Sequence, residues 1–442
     1  WGIVLHDADY SNSTDIDARM TDFDGIPVVG VCENAFFNDK EITSIKLSNN
    51  LERIENGAFW GASNLKTITF SDGGKGLKKI DSLAFKDCSS LESIDLSNAE
   101  ITEIPARAFE NCTSLKSIKL PSTVTKIADN AFAGCSNLEE IKGLEQCKIS
   151  ELSATAFDGC VRLKDINLSN ATIAAIPNQI FSGMRGLISA TVPKTVTSIG
   201  TEAFYACKNL EMINGLSDCD ITKIGEKAFY NCWSLKEADL SRSSFTVLPA
   251  SAFKGDTALL SVKMPESLNE IGNEAFYGCS AMKKLDLNNT RLTTIGNSAL
   301  SDMTSLIYIN LPDTVNSVGA KAFDLNLRLD SSDTALMPTV VSENVTPSSV
   351  NYTDNNVSPW KRRQVIFRDN AVAVHFDGNG SDGKTANTPV FASAGTKISI
   401  PACKYTKKGY LFTGWNTEKD GSGTTYKAGA RTSDAISILY AQ

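Results

Sequence analysis

Eleven cysteines, two histidines and many carboxylates are the side chains of this 442-residue chain that could do chemistry. Cysteine can ligate a metal, pair as a disulfide or attack as a nucleophile, and each use needs groups converging on one point. Seven of the eleven instead stand three residues after a recurring phenylalanine: Cys88, Cys112, Cys135, Cys160, Cys207, Cys232 and Cys279. Cys147 and Cys219 share another register, fifteen residues after Phe132 and Phe204. Ala62, Met184 and Met303 fill the first slot elsewhere. A slot that accepts Ala, Met and Cys is a small apolar packing position, and cysteine behaves as a small hydrophobe. Stacked parallel side chains seldom meet disulfide geometry, so buried free thiols are expected. His6 and His375 lie in end segments far from each other, and no histidine falls among the repeats to build a Ser–His–Asp arrangement. His375, in the alternating run VAVHFD, reads as a strand-surface imidazole. Asp377, Asn379, Ser381 and Asp382 have something of a calcium loop, but the sixth position, which needs glycine, is Asp382, so a β-turn is expected. GNGSDG and DGSGTT lack a following helix with Lys and make poor phosphate cradles. No residue is singled out as catalytic or metal-binding, and no cofactor is expected.

The elements that carry these side chains repeat. The anchor is Phe36, Phe59, Phe85, Phe109, Phe132, Phe157, Phe181, Phe204, Phe229, Phe253, Phe276, then Leu300 in the same slot, then Phe323, usually after alanine. Self-similarity at this period implies a solenoid, in which each unit buries its apolar face only against its neighbours. An Ile, Leu or Val precedes each anchor by five (Ile104, Ile127, Leu152), a Leu usually follows by six (Leu115, Leu138, Leu163) and an Ile often by nine (Ile118, Ile141, Ile166). In AFENCTSL, Ala108, Cys112 and Leu115 share the i, i+4, i+7 spacing of one helical face. In LKSIKL, Ile118 and Leu120 alternate with Ser117 and Lys119 as in a half-buried strand. Each unit thus reads as short helix, strand, turn and a second brief extended segment such as VTKI. A longer period overlies the first: Phe85, Phe157 and Phe229 are 72 apart, as are Pro105, Pro177 and Pro249, so a triplet of units is duplicated in tandem.

The net charge of −8 argues against a nucleic-acid partner, which would want a basic face. No apolar run approaches the roughly 18 residues of a membrane span. The opening WGIVLHDADYSNST has no signal-peptide pattern and reads as a trimmed start. Asp330 to about Arg368 breaks the period and is rich in Ser, Thr, Asn and Pro, as in a linker. Trp360, Val365, Ile366 and Phe367 suggest that part of it caps the last coil, and the N-terminal stretch is expected to cap the other end.

Units of the form IxxxAFxxCxxLxxIxLP, as in IADNAFAGCSNLEEI and IGEKAFYNCWSLKEADL, resemble the BspA-like branch of the leucine-rich repeats. From Ala371, the pattern VAVHFDGNG, GYLFTGWNTEKDGSGTTYKAG and ILYAQ resembles a Listeria–Bacteroides repeat, related to the internalin B-repeat. The second likeness rests on Phe376, Asp377, Gly378, Asn379, Gly409, Tyr410, Phe412, Gly414, Trp415, Gly421, Gly423, Tyr426 and Tyr440. Together they imply a right-handed leucine-rich repeat solenoid of about 13 coils, with a parallel β-sheet and short helical turns, followed by a small β-rich, β-grasp-like module. The expected divisions are an N-terminal cap over 1–30, the array over 31–329, a cap or linker over 330–368 and the module over 369–442. The resemblance implies an extracellular or cell-surface, non-catalytic protein that adheres to host or neighbouring-cell proteins or glycans. A structural stalk displaying other modules is the alternative.

Two rows are candidates for contact. The outward strand positions of the concave sheet, ten after the anchor, include Lys119, Lys142, Asp239, Lys263 and Asp286, with Tyr308 nearby. These mixed charges, nearly without aromatics, read as solvated scaffold. The row just after the anchor carries Trp60, Tyr205, Tyr230 and Tyr277, with Trp233 close by. These aromatics suit protein or sugar contacts, or pack between turns.

Overall fold

The computed structural model describes residues 3–5, 14–18, 27–306, 308–312, 314–323, 339–341, 371–380, 390–393, 398–432 and 438–442. Trp360, Val365, Ile366 and Phe367 lie outside them, as does His6. The chain forms two compact units, Trp1–Phe245 with Ser251–Thr257, and Thr246–Ala250 with Ala258–Gln442. Its repeats wind a parallel-strand solenoid of about 12 turns.

In the first unit each turn contributes one strand to a front sheet and one to a back sheet. The front runs in parallel through Asp15–Ala18, Ser44–Leu47, Thr67–Phe70, Ser93–Asp95, Ser117–Lys119 and Glu140–Lys142. It resumes as Asp165–Asn167, Ser189–Thr191 and Met212–Asn214. Two-residue back strands such as Glu103–Ile104, Lys126–Ile127 and Glu151–Leu152 pair likewise. Register follows the repeat, with Ile94, Ile118 and Ile141 directly side by side and buried. Between the sheets the anchor rings are fully buried and stack, Phe36 to Phe132 at 5.1–5.5 Å and within 6° of parallel.

The short helix expected after each anchor does not form. Two residues per turn instead adopt positive φ, two before and two after the anchor, as at Arg107 and Asn111 or Lys227 and Asn231. These kinks aim alternate amides out of the turn. Arg107, Phe109 and Asn111 donate N–H bonds to the carbonyls of Asp129, Ala131 and Ala133 in the next turn. The amides between them close tight turns, as in Glu110 N–H to Arg107 O at 3.3 Å. Ala108, Cys112 and Leu115 all point inward here as they would on a helix, which is why their spacing misleads. Helix among the described residues is limited to short 3-10 pieces, two of them 72 apart at Leu144–Gln146 and Leu216–Asp218. Gly143 enters the first at φ 84°, where a Cβ would meet the Leu120 carbonyl oxygen at 2.4 Å.

The second unit holds further turns, with back strands Val247–Leu248, Glu270–Ile271, Thr294–Ile295 and Ser317–Val318. Front strands Lys284–Asp286 and Tyr308–Asn310 are joined by Thr339–Val341, so part of the expected linker extends the sheet. It also holds the C-terminal module. Ala371–Asp377 pairs in parallel with Ile438–Ala441, and antiparallel strands complete a five-stranded sheet. Trp415 is fully buried there among Phe376, Tyr405 and Leu439. Asp377 accepts the Asn379 N–H at 2.7 Å, and the Asn379 amide donates to the Lys419 and Ala441 carbonyls, the turn expected at the calcium-like sequence. Ser381 and Asp382 lie outside the described residues.

Candidate functional site

The thiols form a structural column. Cys88, Cys112, Cys135, Cys160, Cys207 and Cys232 are fully buried, and each Sγ donates to the anchor carbonyl of the preceding turn at 3.0–3.2 Å. Burial pushes the Cys160 and Cys207 thiols up to about 12, so they stay protonated donors at neutral pH. Thiol chemistry needs thiolate and access, and this column offers neither. Asp256 occupies the same slot, a departure the register already contained. Its Oδ1 accepts the Cys232 N–H at 2.8 Å, its Oδ2 is buried without a partner, and burial holds the carboxyl well above the ordinary range.

The front-strand charges are tied to their neighbours. Lys119 pairs with Asp95 at 2.5 Å, and Lys142 with Glu140 at 2.8 Å. Partial burial pushes the Asp95 carboxyl up, but bonds from Lys119 and Ser97 outweigh this and hold it below its usual value. Asp239 accepts from Ser241, and Asp286 from the Asn288 N–H. Lys263 is exposed on Ser261–Lys263, and Tyr308 opens its strand. One row nearer the turns, opposite charges alternate in pairs: Lys116 with Glu92, Lys164 with Glu139, Lys236 with Glu211.

The aromatic row separates into distinct groups. Tyr205 and Tyr230 are half-buried and stack on each other, centroids 5.0 Å apart and 8° from parallel, so their faces are spent between turns. Trp233 is 45% exposed, with the Lys208 ammonium 3.8 Å from its ring centroid. Trp60 belongs to the early turns, where Phe37 meets its edge and its Nε1–H donates to Asp87 at 3.0 Å. Tyr277 is half-buried in the second unit.

Three further exposed apolar side chains are not singled out by the sequence motifs. Val161, Ile188 and Met212 are 41–47% exposed at positions four, seven and eight after successive anchors, and Trp233 follows on the next turn. The signal was present in the columns. The position of Val161 and Trp233 holds Ser89, Thr113 and Ser136 in earlier turns, that of Ile188 holds Glu92 and Lys116, and that of Met212 holds Ser93 and Ser117. These four consecutive turns of the first unit each carry an exposed apolar side chain at a position that is polar in the earlier turns named. Exposed apolar side chains on successive turns suit a macromolecular surface better than a small substrate.

A model of the BspA type leucine rich repeat region matches residues 30–152, 102–236, 150–259 and 222–344, and one of the Listeria-Bacteroides repeat domain matches 373–442. A leucine-rich repeat protein from Bacteroides ovatus is 27% identical in sequence, with 72% of this chain and 86% of that one covered at a TM-score of 0.51. A leucine rich cell surface protein from Faecalibacterium prausnitzii is 26% identical over 70% of this chain and 88% of that one, with a TM-score of 0.38. An Evansella cellulosilytica protein that bears the name of a Gly-rich membrane protein is 41% identical over 76 residues. That stretch is 16% of this chain and spans 9% of the relative.

Proposed function

The chain belongs to the BspA-type leucine-rich repeat family, and from that premise we propose a non-catalytic, surface-displayed binding protein that adheres to a protein or glycan of a host or neighbouring cell. The observation that carries this reading is the apolar exception over four successive turns: Val161, Ile188, Met212 and Trp233, each 41–47% exposed. Exposed Trp and Met flanked by paired charges are what a protein-contacting centre with a polar rim needs. Trp60 and the front-strand Lys119, Lys142 and Asp239 are candidate contact residues of the first unit in this reading, and Lys263, Tyr277, Asp286 and Tyr308 of the second. The repeats are the binding part in this reading, capped by residues 1–30 and 330–368, and the module over 369–442 is the spacer.

The test is a binding screen of the whole chain at physiological salt against extracellular-matrix proteins, mucins and glycans. The double variant Met212→Glu, Trp233→Glu should weaken a saturable hit by about tenfold or more. A hit that ignores the double variant removes this patch from the binding site. Local pairing of the front-strand charges favours a second reading, a stalk. A folded sample silent across the whole panel is the result a stalk requires.

A further inference from the structure

The chain divides its charge unevenly. Residues 371–442 carry eight Lys and Arg against five Asp and Glu, net +3, which leaves −11 on the first 370. Within that basic module, the loop Cys403–Phe412 carries Lys404, Lys407 and Lys408, all exposed. At its tip Tyr410 is 73% and Leu411 86% exposed, the most exposed large apolar side chains among the described residues.

The loop is held on both sides. Tyr405 is buried and its hydroxyl donates to the Phe376 carbonyl. Phe412 packs against the buried Trp415, whose Nε1–H donates to the Pro401 carbonyl at 2.9 Å. The Tyr410 N–H closes a turn onto the Lys407 carbonyl at 3.0 Å, with Gly409 at φ 83°. The Lys407 ammonium lies 4.6 Å from the Tyr410 ring centroid. A groove of about 520 Å³ opens beside the tip, lined by Lys407, Tyr410, Leu411, Phe412, Asn379 and Gln442 among others.

We propose that this loop seats the C-terminal module on an anionic lipid surface. Leu411 and the Tyr410 ring enter the headgroup boundary, where an aliphatic side chain leaves water and a tyrosine keeps its hydroxyl wet. The three exposed lysines of the loop supply the charge that lipid phosphates attract. A soluble polyanion would account for the lysines but not for an aliphatic tip that its hydrated charges cannot cover. A lipid boundary accounts for both.

The experiment is flotation of the whole chain with phosphatidylcholine vesicles and with vesicles of equal phosphatidylcholine and phosphatidylglycerol. Binding should appear with the anionic vesicles alone and fall with added salt. Lys404→Gln, Lys407→Gln, Lys408→Gln together should weaken it on the order of 100-fold. Tyr410→Ser with Leu411→Ser should weaken it by about tenfold while leaving the melting temperature in place. Wild-type chain that fails to float with anionic vesicles overturns the proposal, whatever the variants do. Lysine-dependent binding that is indifferent to the tip variant and equally strong on polyglutamate overturns it in favour of a polyanion. Self-association through the same residues, without flotation, overturns it in favour of a second copy.

Discussion

Asp256 shows what the thiol column requires, because it puts a buried carboxyl in a slot that Ala62, Met184 and the thiols keep neutral. In neighbouring turns the slot holds a neutral donor, whereas here a carboxyl sits in full burial with one oxygen unpartnered. A buried polar atom without a partner costs about 1–3 kcal/mol. With the folded-state carboxyl raised above its unfolded value, the folded chain holds the proton more tightly. Its contribution is therefore fully present below the ordinary carboxylate range and is lost as pH rises toward the raised folded value. Asp256→Cys should restore the column and raise stability at pH 7 by about 1–3 kcal/mol in urea melts. Asp256→Asn should flatten the stability profile above pH 4, and a profile that keeps the wild-type slope would show that another group titrates there.

At the scale of the element, the informative departure is Ile180. Every other anchor phenylalanine in the first unit follows an alanine, whereas Phe181 follows this buried isoleucine. The ring spacing widens there to 6.4 Å, and the next pair tilts by 36°. The hydrogen bond from the anchor N–H to the carbonyl of the residue before the next anchor, regular from Phe36–Ala58 to Phe132–Ala156, is not formed between Phe157 and Ile180. A larger side chain in a slot sized for a methyl props the turns apart, and the apolar surface of Val161 to Trp233 begins at this joint. Ala108→Ile, placed where spacing is regular, should therefore cost about 1–3 kcal/mol, measured by denaturant unfolding. Coils, strands, register and the inward thiols were legible because a column of like residues recurs at fixed spacing. The left-handed turns were not, since an inward-facing triad reads alike on a helix and on linked turns. The exposed patch hid for a different reason: it is an exception within columns, visible only when each position is read down the stack. Tyr205 and Tyr230 fall in one row of the sequence, but sequence alone does not tell that their faces meet each other.

At the scale of the whole molecule, each turn of the first unit rests only on its neighbours, so stability is a sum of local terms. Phe132→Ala should cost about 3–5 kcal/mol. Hydrogen-exchange mass spectrometry should then show lost protection over the flanking turns, with amides near Phe204 and Phe229 still protected. Loss spread evenly over the unit would show a single cooperative block instead. The interturn bonds also recur place for place: amides around the anchor, as at Phe109, face carbonyls of the next turn, and amides ahead of the front strand, as at Lys116, face carbonyls of the preceding one. A block of turns cut from such a stack carries the same two unlike ends as the block it leaves behind. Any number of blocks can therefore be rejoined with donors meeting acceptors, and the 72-residue triplet is a natural length at which a gene can be cut and rejoined in frame. The reach of the protein can change by unequal recombination, in steps of three turns, while no core residue has to mutate.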